Sequence, residues 1–133
     1  MCLSFKKEIL EGIHDLTTDV LKMALYTSDA TLNEDTTAYS ATNEVSGTGY
    51  SAGGATLTTT APSISSGVVV VDFADVTWSA ATITARAALI YNSSKSDRAV
   101  CVLDFGSDKT KTAADFVVTF PEANATDAII RIT

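Results

Sequence analysis

The stretch Asn43-Glu44-Val45-Ser46-Gly47-Thr48-Gly49-Tyr50-Ser51-Ala52-Gly53-Gly54 decides how the chain is read, together with the apolar runs that follow it. Its glycines turn the chain sharply, because glycine takes positive φ without a steric penalty. A polar loop precedes it and a threonine-rich segment follows. A phosphate cradle needs a strand before it and a helix after it, so the glycines read as backbone geometry, in turns or a bulge. Beyond them come Val68–Phe73, Ile83–Tyr91, Ala99–Phe105, Phe116–Phe120 and Ile129–Ile132. Turn-forming runs separate these segments: Asn92-Ser93-Ser94-Lys95-Ser96-Asp97, Gly106-Ser107-Asp108 and Pro121-Glu122-Ala123-Asn124. Short strands at this spacing predict an all-β fold, an antiparallel β-sandwich of the jelly-roll or Ig-like kind.

Upstream of the glycines, residues 20–27 read as a first strand, with Leu21, Met23 and Leu25 on one face. Residues 28–43 are polar and read as a long loop anchored by Leu32 and Tyr39. A loop of that length in a small domain points to function or to a partner. Residues 4–11 read as a short helix, with Ser4 as N-cap, Phe5, Ile9 and Ile13 recurring every fourth residue, and Gly12 as the stop. Two turns of helix are unstable alone. The chain therefore divides into an N-terminal arm, 1–19, whose Phe5 and Ile9 contact a neighbour, and a sandwich domain, 20–133. Downstream, a weak strand at Ala55–Thr60 is broken by Pro62.

Placing the charged residue of each strand on the outer face assigns the inner one. Asp72 then faces out, with Val69, Val71 and Phe73 in. Arg86 faces out, with Ile83, Ala85, Ala87, Leu89 and Tyr91 in. Asp104 faces out, with Ala99, Cys101, Leu103 and Phe105 in, and Arg131 puts Ile130 and Ile132 inside. The nominal outer face is apolar too, at Val68, Val70, Val100, Val102 and Ile129. A sheet with one wet face alternates more cleanly. Either a second layer of the same domain covers these side chains or another subunit does. Left in water they form a patch that soluble monomers avoid, which predicts a homo-oligomer.

The bulk composition bounds the function. With 133 residues, one core suffices. The net charge is −7, with a pI near 4.4. Nucleic-acid binding needs a cationic patch, and the nine Lys and Arg are spread thinly, so neither nucleic acid nor an anionic membrane is an expected partner. No apolar run approaches the roughly 20 residues of a membrane span. The opening Met1-Cys2-Leu3-Ser4-Phe5-Lys6-Lys7-Glu8 lacks the pattern of a secretory signal. Cys2 and Cys101 lack metal-ligand spacing and read as unpaired, with Cys101 a small core residue.

No set of catalytic groups emerges, so no enzyme activity and no cofactor is expected. His14, the single histidine, stands beside Asp15 and reads as a capping or surface residue. No Gly-x-Ser-x-Gly elbow is present. Asp72, Asp75, Asp97, Asp104, Asp108 and Asp115 are scattered over strand ends and turns. Without a dense calcium loop they leave room only for a weak site between loops. Trp78 reads as a core or interface anchor.

Several of these segments together resemble a group of small tailed-bacteriophage virion proteins. The turn Glu44-Val45-Ser46-Gly47-Thr48-Gly49-Tyr50 matches their Glu-Val-Ser-Gly-x-Gly-Tyr. The strand ending Asp72-Phe73-Ala74-Asp75, followed by Trp78, matches a Phe-to-Trp passage. Ala81-Thr82-Ile83-Thr84, Ala87-Ala88-Leu89-Ile90-Tyr91-Asn92, Leu103-Asp104-Phe105-Gly106 and Phe116–Phe120 complete the likeness, which covers roughly residues 20–132. The resemblance implies a β-sandwich particle protein. Its first implied role is capsid decoration, as a cement protein bound to the major capsid protein and commonly trimeric, made in the host cytoplasm and carried on the virion. The alternative is a tail or tail-fibre component that touches the host surface or other tail proteins. No catalytic residue comes with the resemblance.

Overall fold

Seven strands and one helix follow one another in the computed structural model, which describes residues 1–133. They are α1 (Leu3–Leu10), β1 (Leu21–Tyr26), β2 (Ala55–Thr56), β3 (Thr59–Ser65), β4 (Val68–Phe73), β5 (Val76–Asn92), β6 (Arg98–Val118) and β7 (Ile130–Ile132), with a 3-10 turn at Ser93–Lys95. One sheet runs β2-β1-β5-β6 and the other β3-β4-β7. Every pairing is antiparallel. This is the all-β sandwich with a short N-terminal helix that the sequence predicts.

In β1 the expected face, Leu21, Met23 and Leu25, is fully buried, and Ala24 and Tyr26 on the other face are buried with it. β5 and β6 depart from expectation by their length. The segments Ala99–Phe105 and Phe116–Phe120 are parts of one 21-residue strand, apart from Thr119 and Phe120, which lie just past its end. Gly106-Ser107-Asp108 is therefore not a turn between strands. Ala85 pairs with Lys109 and Ala87 with Asp104, so two steps along β5 oppose five along β6. The surplus bulges outward and the ladder resumes. The 17-residue β5 supplies a template long enough for both halves. Pro62 likewise does not end its strand. It sits in β3, at the edge of its sheet, where the register shifts between Thr60 and Ser63.

The doubly apolar strands are covered by their own chain. Ala88–Asn92 and Ala99–Cys101 are buried on both faces. Helix α1 lies against β6. Cys2 N–H donates to the Val100 carbonyl at 2.9 Å and Ala99 N–H to that of Thr37 at 2.9 Å. Val70 and Val100, expected on an interface, have no exposure, and Val68, Val102 and Ile129 are half-buried. Over Val100 the physical reason is that the N-terminal segment and the chain at Thr37 lie against β6, while Val70 lies on β4, the central strand of the other sheet. These valines leave no free patch, so the case for association drawn from them falls. An exposed apolar row stands elsewhere: Ile64 pairs with Val69 and Val69 with Ile132, at 77%, 37% and 42% exposure. Val69 and Ile132, expected inside, share a strand face with the buried Val71 and Ile130 but are themselves left open.

The N-terminal segment is likewise held by its own chain. Phe5 is fully buried, and Phe5 and Cys2 belong to the same 27-residue core as β1, β5 and β6. Phe5 is thus not available to a neighbour, whereas Ile9 is half-buried against that core. Cys2, not Ser4, occupies the N-cap position. At the other end Gly12 takes φ +70°. Gly12 N–H donates to the Ile9 carbonyl and Ile13 N–H to that of Glu8. This glycine-terminated end matches the stop read from the sequence.

Candidate functional site

Two partly buried polar clusters gather tyrosine, carboxylate and histidine side chains. The first gathers three of the four tyrosines around Glu44, with Tyr26 close by. Tyr39 OH donates to Glu44 Oε2 at 2.6 Å, while Tyr50 OH and Gly53 N–H donate to Oε1 at 2.6 and 2.8 Å. Tyr91 OH donates to the Gly53 carbonyl at 2.6 Å. Leu25 N–H donates to the Tyr50 oxygen at 2.9 Å, tying the loop to β1. Tyr39 stacks on Tyr91 with centroids 4.7 Å apart, and Tyr50 lies 6.0 Å from Trp78. Tyr26 OH donates to the Ser40 carbonyl at 2.7 Å. Burial and then the charges of Asp97 and Glu44 push Tyr91 up to about 12. Burial first, and Glu44 second, push Tyr26, Tyr39 and Tyr50 up as well. Both Glu44 oxygens are engaged by neutral donors. The carboxylate acts as a clip that fastens residues 39–53 onto β1 and β5.

Glycine makes this clip possible at two points. Gly54 has φ +76°, and any Cβ there would overlap the Met23 carbonyl. Gly49 has φ +82°, and a Cβ would lie 2.8 Å from Ala81 Cα. The expected positive φ is present, and close backbone approach is added to it.

The second cluster overturns the reading of His14 as a surface or capping residue: its side chain is fully buried. His14 Nε2 lies 2.8 Å from Glu8 Oε2 and Nδ1 lies 3.0 Å from Asn92 Nδ2. The amide is a donor and the carboxylate an acceptor, so the neutral Nε2–H tautomer satisfies both partners. Asn92 Nδ2 also donates to Asp19 Oδ2 at 2.7 Å, and Arg98 donates to Glu8 Oε1 at 2.6 Å. Burial raises the Glu8 carboxyl, but hydrogen bonds from His14 and Arg98 outweigh it and hold the group below its usual range. Asp19 follows the same pattern, with Asn92, the Asp15 amide and Lys95 outweighing burial. An acid beside a histidine suggests a relay, but both ring nitrogens are engaged by structural partners. The cluster fastens residues 8–19 to the β5–β6 end.

Of the loop anchors, Leu32 and Tyr39 rest half-buried on the core. Trp78 is a core residue, at 6% exposure. Cys2 and Cys101 are free and buried, and burial pushes Cys101 up to about 12. No three His, Cys, Asp or Glu side chains are grouped to hold a metal ion. No helix is long and apolar enough to cross a membrane.

Two clefts flank the long hairpin. One, about 370 Å³, is lined mainly by threonines (Thr27, Thr82, Thr84, Thr110 and Thr112), with Glu44 and Lys111 among its other residues. The hydroxyls of Thr84 and Thr110 bond each other at 2.8 Å. The other, about 330 Å³, is lined by Phe105, Lys109, Lys111, Phe116, Val117, Val118 and Thr119. The sequence does not show the His14 cluster, because Asn92 and Arg98 come from a distant part of the chain, nor the Glu44 clip, whose donors are local but are brought onto one carboxylate only by the turns between them. The one signal within reach was the presence of Glu44, Tyr50 and Gly53 in a single motif. Comparison with protein-family models, with curated proteins and with solved structures finds no match for this chain.

Proposed function

We propose that the chain is a structural protein of a tailed-bacteriophage particle, a head-decoration protein that binds the assembled shell of the major capsid protein and stabilises it. One observation supports this reading above the rest. The segments that resemble virion proteins meet in space as one packed unit. Glu44, Tyr50 and Gly53 share hydrogen bonds, and Tyr91 reaches the same Gly53. Trp78 lies 6.0 Å from Tyr50 and 6.1 Å from Phe116. These residues serve the fold, as the likeness of structural motifs implies, and the function is left to the outer surface. The exposed row Ile64–Val69–Ile132 is such a surface. A protein that binds an intact shell but not its separated parts stabilises the shell by mass action.

Antibody-gold labelling of virions produced with this gene tests the proposal. Label over the head is the expected result. Label confined to the tail would replace decoration by the tail role, and virions free of label would remove the particle role altogether.

A further inference from the structure

β6 is the last strand of its sheet, and most of its outer edge is bare. Only its beginning is covered, where Cys2 N–H meets the Val100 carbonyl and Ala99 N–H meets that of Thr37. From Asp104 to Val118 its ladder partner is β5 alone. Residues 106–115 are all exposed. Beside this edge lies the cleft of about 330 Å³, every lining residue of which belongs to β6 except Thr119, just past its end. Its floor is apolar, with Phe105 and Phe116 rings 6.3 Å apart and Val117 half exposed. Lys109 and Lys111, two residues apart and so on one face of the strand, stand at its rim. A bare edge, an apolar cleft and a pair of cations coincide in one place on a chain of net charge −7.

We infer that the β6 edge is a docking site for an extended acidic strand of another protein, added to the sheet by β-augmentation. In this mode main-chain hydrogen bonds carry affinity and side-chain pockets carry specificity. The incoming strand places acidic side chains at alternate positions against Lys109 and Lys111, and an apolar side chain in the cleft. The same lysines turn away a second copy of this chain. Across the regular stretch Lys109–Lys111, a two-fold antiparallel pairing centred on Thr110 sets Lys109 of one copy opposite Lys111 of the other. Like charges directly opposite are destabilising, and edge lysines guard against such self-pairing. The inference rests on the edge alone and holds whether or not the chain decorates a shell.

The test uses the full chain and two synthetic threonine-based peptides, one whose strand face carries Glu at two successive alternate positions and Val at the next, the other with Lys in place of Glu. Amide NMR shifts follow each titration up to about 1 mM, the weak end of specific affinity. The Glu peptide is expected to bind, shifting amides within residues 104–118. Binding should fall about tenfold, equivalent to 1.4 kcal/mol, in the doubly substituted Lys109→Glu, Lys111→Glu protein. The milder pair Lys109→Gln, Lys111→Gln and a salt titration give the same reading should the reversed charges disturb folding. No binding of the Glu peptide, equal binding of the Lys peptide, or shifts outside the β6 edge would overturn the inference. So would concentration-dependent self-association through these same amides.

Discussion

Gly54 is where a single atom has the largest effect. Its φ of +76° and the adjacent Met23 carbonyl forbid a side chain. Gly67 has nearly the same φ, +80°, with nothing within 4 Å of a Cβ. Gly67→Ala should therefore cost only the left-handed penalty, about 1–2 kcal/mol. Gly54→Ala should cost more than about 3 kcal/mol by urea denaturation, since overlap adds to strain. Equal costs at the two sites would remove the close-approach argument. The tyrosines make a second residue-scale prediction. Their folded pKa values lie above the unfolded value of about 10, and Tyr91 reaches about 12. Groups raised in this way contribute stability that is complete below the unfolded value and is lost as pH rises through the folded one. Thermal stability should fall steeply from about pH 10 toward 12. Tyr50→Phe strands the Leu25 amide and removes one of the two donors on Glu44 Oε1, and should cost about 2–3 kcal/mol at neutral pH. It should also make the alkaline decline shallower, and an unchanged pH profile would contradict the clip.

At the scale of the element, α1 belongs to the fold and is no free arm. Phe5→Ala should cost about 3–5 kcal/mol, the range for a buried aromatic, whereas Leu10→Ser, at 90% exposure, should change little. A protein lacking residues 1–13 should lose its cooperative melting transition in circular dichroism; an intact transition would restore the arm. Asn92→Ala breaks the His14 cluster and should cost about 2–4 kcal/mol. Glu8 and Asp19 are held below the usual carboxylate range. Their stability is present above the unfolded value near 4 and is lost as pH falls through the lower folded values. Melting temperature should drop below about pH 4, and Glu8→Gln should lessen that drop. The sequence made β1, α1 and the 93–97 turn legible, because alternation, periodicity and turn residues are local signals. It did not make the union of β6 legible, because the bulge at Gly106 is a turn by composition and a ladder defect only beside β5. The burial of Val70 and Val100 was hidden for the same reason: both faces of a strand look alike until the layers above them are known.

The whole molecule joins the N-terminal segment and both sheets through one core, so it should unfold in a single transition by far-UV and near-UV circular dichroism together. Its half-buried carboxylate Glu44 and its histidine are committed to holding loops and the helix. Two outer features stand apart from these clusters: the exposed Ile64–Val69–Ile132 row and the free β6 edge. The most direct measurement is co-sedimentation of the purified protein with emptied phage heads that lack it, beside the dissociated shell protein and isolated tails. A head-decoration protein should bind assembled heads saturably and raise the temperature at which the decorated shell is disrupted. Binding to tails alone, or equal binding to dissociated shell protein without any gain in shell stability, would contradict it.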